Sequence, residues 1–215
     1  MLGGTFDPIH WGHLQMAAAA ERACHLTRIY FVPAPNPWHR DPPRAAYADR
    51  YAMVALAVAA RTRWQPLAVP DAPRRPTYAL DQLQWMADWS SSQGRRERLY
   101  WIVGADAFVT LPTWHDYRRL LQRCDFVVVG RDGYSLDEVV QAVPREVVKK
   151  VEGKRVQLAG GRELHWLPQF SSPVSATRAR AWLAASKRRN GRSVVPVEVA
   201  RYARRAGLYE HGQEN

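Results

Sequence analysis

Two histidines three residues apart, His10 and His13, end an eleven-residue block that opens on Gly3-Gly4-Thr5-Phe6. Glycines admit close backbone approach and positive φ, while the exposed N–H groups and dipole of a following helix attract anions. Apolar spacing from Leu14 onward sets a helix start near Ile9, so imidazoles at i and i+3 share one face and can address one ligand. The chemistry suited to this combination is the holding of phosphate. A metal pair is the rival reading, but no third ligand of the right type stands nearby and the zinc pattern of two His flanking a Glu is absent, so no dedicated metal site is expected.

Such a block needs a frame. Apolar, β-rich runs at 28–32, 67–69, 99–103, 126–129 and 164–167 read as short buried strands, and helical spacing occupies 14–23, 45–60, 80–89, 117–122 and 176–185. Strand and helix in alternation imply a parallel sheet covered on both faces, with ligands beyond the carboxyl ends of the strands. Four further segments fall at such ends. Pro33 to Pro43 holds five prolines and presents His39 and Arg40; alone it reads equally well as a rigid linker. Pro76 to Leu83 is a helix entry with Thr77 as N-cap. Gly104 to Trp114 follows a strand, so Asp106 stands where a ribose-binding carboxylate would be useful or where a helix is capped, and Trp114 either stacks on a flat ring or fills the core. Val174 to Arg180 offers Ser175 and Thr177 hydroxyls at a helix start and the cation of Arg180, a site for phosphates or a plain cap.

Composition bounds the partners. In 215 residues, 31 Lys and Arg face 20 Asp and Glu, a net charge of +11 that favours anionic ligands. No helix-turn-helix, zinc-finger or strand-stacking signature accompanies the charge, which points to nucleotide phosphates over nucleic acid. No apolar run approaches the ~20 residues of a membrane span, and no secretory signal is visible, so a cytoplasmic location is expected. Cys24 and Cys124 lack CxxC spacing and read as reduced core thiols.

The opening GGTFDPIHWGH resembles the (T/G)xGxFDPxHxGH signature of the nucleotidyltransferase superfamily, whose members move a nucleoside monophosphate from a triphosphate to an acceptor. With the Pro-Trp-His-Arg loop, PTYALDQL, GADAFVTLPTW, VVVGRDGY containing Arg131, VSATRAR, and the close from Val195-Pro196 to Gly207-Leu208-Tyr209, nearly the whole chain resembles bacterial nicotinate-nucleotide adenylyltransferases. Pantetheine-phosphate adenylyltransferases are similar in the first and last motifs but differ between them. Cytidylyltransferases end on a pattern not found here.

The resemblance implies an α/β fold with a doubly wound, mainly parallel sheet of the Rossmann-like nucleotidyltransferase type and helices on both faces. It implies one domain over 1–215, in which a small helical subregion at about 171–209 closes the ATP site. The adenylyl group of ATP would pass to nicotinate mononucleotide, giving nicotinate adenine dinucleotide and pyrophosphate. Gly3, Gly4, Thr5, Phe6, His10, His13, Gly104, Asp106, Arg131, Ser175, Thr177 and Arg180 would bind ATP, with His10, His13 and Arg180 catalytic. His39, Arg40, Tyr78, Ala79 and Trp114 would hold the mononucleotide, and Mg²⁺ would ride on the ATP phosphates.

Two departures stand out. Thr77-Tyr78-Ala79 occupies a place where the family has Ser-Tyr-Thr, so a hydroxyl contact is lost and preference for nicotinate over nicotinamide is open. Only Met1 and Leu2 precede the glycines, where the family has a full strand, so the native start is expected upstream, with unpaired neighbours and a loosely anchored glycine loop. The alternatives are an adenylyltransferase for nicotinamide mononucleotide or phosphopantetheine, or a nucleotide- or nucleic-acid-binding protein that has lost catalysis.

Overall fold

A computed structural model describes residues 1–35, 42–69, 78–95, 97–130, 133–168, 174–185 and 193–210. The chain divides into two compact units. One comprises Met1–Leu2, Ala19–Leu26 and Thr77–Ser171; the other comprises Gly3–Ala18, Thr27–Pro76 and Ser172–Asn215.

In the first unit the strand order is the Leu2 end of β1 (Leu2–Gly4), β4 (Tyr100–Gly104), β5 (Asp125–Val129), β8 (Glu163–Leu167), β7 (Arg155–Leu158), β6 (Val148–Glu152). The β1–β4, β4–β5 and β5–β8 pairs are parallel, and the two pairs that follow are antiparallel. Runs such as Phe126-Val127-Val128-Val129 are buried throughout, because a parallel strand with both faces covered has no polar side. The start of β5 carries a buried carboxylate, Asp125, which accepts from Arg98 Nε and Nη2 and from the Glu163 amide at 2.7 Å. Around this sheet lie α3 (Ala79–Ser92), α4 (Ala105–Phe108), α5 (Tyr117–Leu120) and α6 (Leu136–Gln141).

The second unit pairs β2 (Ile29–Pro33) with β3 (Trp64–Pro66) in parallel, and the Gly4 end of β1 lies beside β2, its carbonyl accepting from Ala34 N at 2.8 Å. Phe31 and Trp64 rings meet at 5.4 Å, and Met53 and Val54 are fully buried on α2 (Tyr47–Val58). Two later helices, α7 (Ala176–Ala184) and α8 (Val197–Arg205), complete it; Tyr202 on α8 donates to Asp49 on α2 at 2.9 Å. Helix α1 (Trp11–Ala23) starts in this unit and ends in the first.

The expected mainly parallel α/β sheet flanked by helices is found, with corrections. The strand expected at 67–69 lies at 64–66, where Trp64 anchors it on Phe31; Leu67 N only adds one bond to the Phe31 carbonyl. The antiparallel pair β6–β7 was not anticipated, because Val148-Lys149-Lys150-Val151-Glu152 has no buried face to produce an apolar run, and its lysines protect an edge. Nor is the glycine loop loosely anchored. Although β1 is short, Leu2 pairs with Ile102, whose amide donates to the Met1 carbonyl at 2.8 Å. Among the described residues no helix is long and apolar enough to cross a membrane.

Candidate active site

The loop from Thr5 to His10 leaves β1 and enters α1, and it departs from expectation in three details. The left-handed residue is Phe6, at φ 50°, rather than a glycine. Glycine is favoured at position 4 for another reason: a Cβ there would press on the Phe6 ring at 3.3 Å. The helix begins at Trp11 rather than Ile9, and the His10 carbonyl accepts from Leu14 N, which makes His10 the N-cap.

His13 then occupies the third helical position, and its Nδ1 accepts from the His10 backbone N–H at 3.3 Å, the reach-back of a capping box made with an imidazole. The consequence is chemical. An Nδ1 that accepts leaves the neutral ring its proton on Nε2, so His13 presents a donor beyond the helix start. The two imidazoles stack at 3.8 Å and 26°, and Phe6 meets His13 edge-on at 4.9 Å, fixing the ring in place. His10 is buried and His13 half-buried. Sequence spacing placed the pair on one face, and the structure brings the rings into contact.

Asp7 holds this loop from beneath. Its carboxylate accepts from Arg44 N at 2.8 Å, Ala45 N at 3.1 Å and the Tyr209 hydroxyl at 2.7 Å. Burial and the neighbouring Asp7 charge push the Tyr209 phenol well above its ordinary value, so it stays a donor. Arg180, reaching from α7, donates to the Asp7 carbonyl at 2.9 Å and to Thr177 Oγ1 at 3.3 Å. Ser175 is the N-cap of α7, accepting from Arg178 N at 3.2 Å, so its hydroxyl oxygen serves the helix as well as any ligand. Asp7 lies inside the opening motif, Tyr209 inside the closing one and Arg50 in the helical stretch 45–60, and nothing in the sequence signals partners so distant.

The first unit carries the remaining described candidates. Gly104 is the N-cap of α4 and Asp106 lies in its first turn, where a Cβ on Gly104 would collide with the Asp106 carboxylate at 2.4 Å. Asp106 is therefore inside the helix and not its cap. Trp114 is half-buried, its indole N–H donating to Thr110 Oγ1 at 3.0 Å and its ring 6.4 Å from Trp101. Tyr78 is the N-cap of α3 without a side-chain cap bond, Ala79 is the first helical residue, and the Tyr78 ring lies 4.3 Å from that of His115. His115 is a neighbour that the sequence reading did not single out. His39, Arg40, Arg131 and Thr77 lie outside the described residues.

Phosphate suits the loop residues better than a caged cation does. The Asp7 carboxylate oxygens are taken by three donors, and the other groups at the loop are imidazoles, amides and the Arg180 guanidinium from α7, not the hard oxygen ligands a caged Mg²⁺ takes. An Mg²⁺ that retains its waters and rides on phosphates is compatible with this donor set.

Comparisons with known proteins agree with the geometry. The cytidylyltransferase-like family model matches residues 1–181. A probable nicotinate-nucleotide adenylyltransferase of Pseudomonas syringae pv. tomato is 37% identical over 97% of this chain and 92% of its own. One from Neisseria meningitidis serogroup C is 36% identical over 98% and 97%. Among solved structures, Plasmodium falciparum nicotinic acid mononucleotide adenylyltransferase complexed with NaAD superposes with a TM-score of 0.72 at 15% identity, over 97% of this chain and 95% of that one, which supports the Rossmann-like nucleotidyltransferase fold.

Proposed function

Because this chain belongs to the cytidylyltransferase-like family, among the nicotinate-nucleotide adenylyltransferases, we propose that it transfers the adenylyl group of ATP to nicotinate mononucleotide. The observation that carries the reading is the loop from Gly3 to His13, with its stacked imidazoles, within a chain similar to those enzymes over nearly its full length.

A phosphate oxygen of the mononucleotide attacks the α-phosphorus of ATP in line. The new P–O bond forms as the bond to the β-phosphate bridging oxygen breaks, and that electron pair leaves with pyrophosphate. The reaction needs positioning and charge neutralisation more than acid–base groups. His13 Nε2–H donates to the α-phosphate as charge moves through it, with His10 beside it on the triphosphate and the loop amides of Gly4 to Phe6 facing the phosphates. Arg180 and Thr177 steady the departing pyrophosphate, and Ser175 holds the start of α7 beneath it. Asp106 and Gly104 line the ribose, and Arg131 approaches the adenylyl group.

On the acceptor, Trp114 stacks on the pyridine ring, Tyr78 and the Ala79 amide meet its carboxylate, and His39 and Arg40 take its phosphate. Mg²⁺ carried by ATP supplies additional neutralisation of the phosphate charge. The setting is the cytoplasm; two unbridged cysteines accord with it, burial holding the Cys24 thiol at about 11 and that of Cys124 at about 12.

The test is magnesium-dependent pyrophosphate release from ATP with nicotinate mononucleotide, nicotinamide mononucleotide and phosphopantetheine offered separately. Preference for the nicotinate compound supports the proposal. Preference for another acceptor reassigns the ring pocket, and silence with all three refutes the enzyme.

A further inference from the structure

Arg50, on α2, is 1% exposed and spends its guanidinium on backbone carbonyls. Nη1 donates to Thr5 O at 2.7 Å and Ala34 O at 2.8 Å, Nη2 to Pro35 O at 3.1 Å, and Nε to Ala45 O at 3.2 Å. Desolvating a cation this fully is costly, and an apolar side chain of similar volume would pack a helix onto a sheet without that cost. What an apolar side chain cannot do is bind four carbonyls from separate stretches of chain at once, which the rigid five-donor fork of arginine does.

The stretches so joined matter. Thr5 belongs to the phosphate-holding loop, between Gly4, whose carbonyl accepts from Ala34 N, and left-handed Phe6. Ala34 and Pro35 are the exit of β2, from which the segment assigned to the acceptor departs in sequence. Ala45 also gives its amide to Asp7, so the same fork steadies the carboxylate beneath the loop.

We infer that Arg50 is a positioning residue for adenylyl transfer, its fork holding the phosphate loop at Thr5 against the exit of β2 at Ala34 and Pro35. The inference rests on the adenylyltransferase reading for its kinetic consequence, and on geometry alone for the coupling of the two stretches.

Arg50→Lys keeps the charge but cannot make the fork. Because displacement of reacting groups by about 1 Å costs about 100-fold, turnover is expected to fall 10- to 100-fold with both KM values within about three-fold of wild type. In Arg50→Ala, low-millimolar guanidinium is expected to restore part of the turnover while leaving wild type unaffected. Arg98→Lys, which loosens the half-exposed guanidinium's hold on buried Asp125 in the other unit, is the control that lowers Tm without lowering turnover per folded molecule. If Arg50→Lys merely lowers Tm like that control, or if only KM rises, the positioning role is overturned.

Amide hydrogen exchange decides the coupling without any activity. In Arg50→Lys, exchange is expected to rise together in peptides spanning 3–9 and 31–35 and to stay unchanged at 125–129; unchanged exchange in either stretch overturns the inference. Wild type that makes no nicotinate adenine dinucleotide while this paired response persists would refute the functional reading and leave the clamp standing.

Discussion

Asp7, in the loop after β1, is bonded to partners 37, 38, 173 and 202 positions away along the chain, whereas the side-chain hydrogen bonds of the turn from Thr110 to Trp114 span three or four. Both regions are assigned to substrate, one to the triphosphate and one to the acceptor ring. Long-range ties make the loop a product of the whole unit, so its imidazoles and amides are preorganised before ATP arrives, as charge stabilisation in a transition state requires. A locally tied turn has less to organise: it need only present a flat ring, and it can differ between relatives with different acceptors at little cost to the fold.

If that contrast is right, changes in the loop strike turnover and global stability, and changes in the turn strike only acceptor affinity. The largest effect is expected from His13→Ala, which removes the Nε2–H donor; loss of one such donor costs about 10²- to 10³-fold in kcat. Steady-state kinetics with near-normal kcat would break the assignment.

Next comes Tyr209→Phe, which deletes a bond to a buried charge and should cost about 1.5–3 kcal/mol. Urea unfolding reads it directly, and a midpoint like that of wild type would mean that the close of the chain does not hold the loop. Trp114→Ala should then raise KM for the mononucleotide about ten-fold, the scale of one stacking contact. Neither KM for ATP nor Tm should move much; equal changes for both substrates would end the contrast between the regions.

The smallest effect concerns pH. Burial outweighs the attraction of Glu163 and pulls His165 below its ordinary value, with Arg155 adding to the pull and Asp125 opposing it. The unfolded chain therefore takes up this proton first as pH falls, so stability rises with pH through the window just below the ordinary histidine value. Wild-type Tm should fall more steeply than that of His165→Gln between about pH 7 and pH 5. Parallel curves would remove His165 from the acid response.

Legibility followed range. Helices α2, α3 and α7 and strands β2, β4, β5 and β8 lie within a few residues of their expected places, because apolar periodicity and strand-length apolar runs are local quantities. Helix α6 was missed although Ser135 and Glu138 form a complete capping box that the Ser-x-x-Glu spacing announces. Strand β6 carried no signal at all, since an edge with lysines needs none of the alternation that a buried face imposes.

The sequence by itself determined the chemistry: a glycine turn, two histidines and a later Ser-x-Thr-x-x-Arg helix entry are suited to phosphate in any fold that leaves them at helix starts. Only the tertiary structure decided that Tyr209 donates to Asp7 and that Arg50 binds four carbonyls at once. The reason is physical. Every residue has a carbonyl and nearly every one an amide, so bonds to the backbone leave no mark on residue type, and which distant groups meet is settled only when the core brings them together.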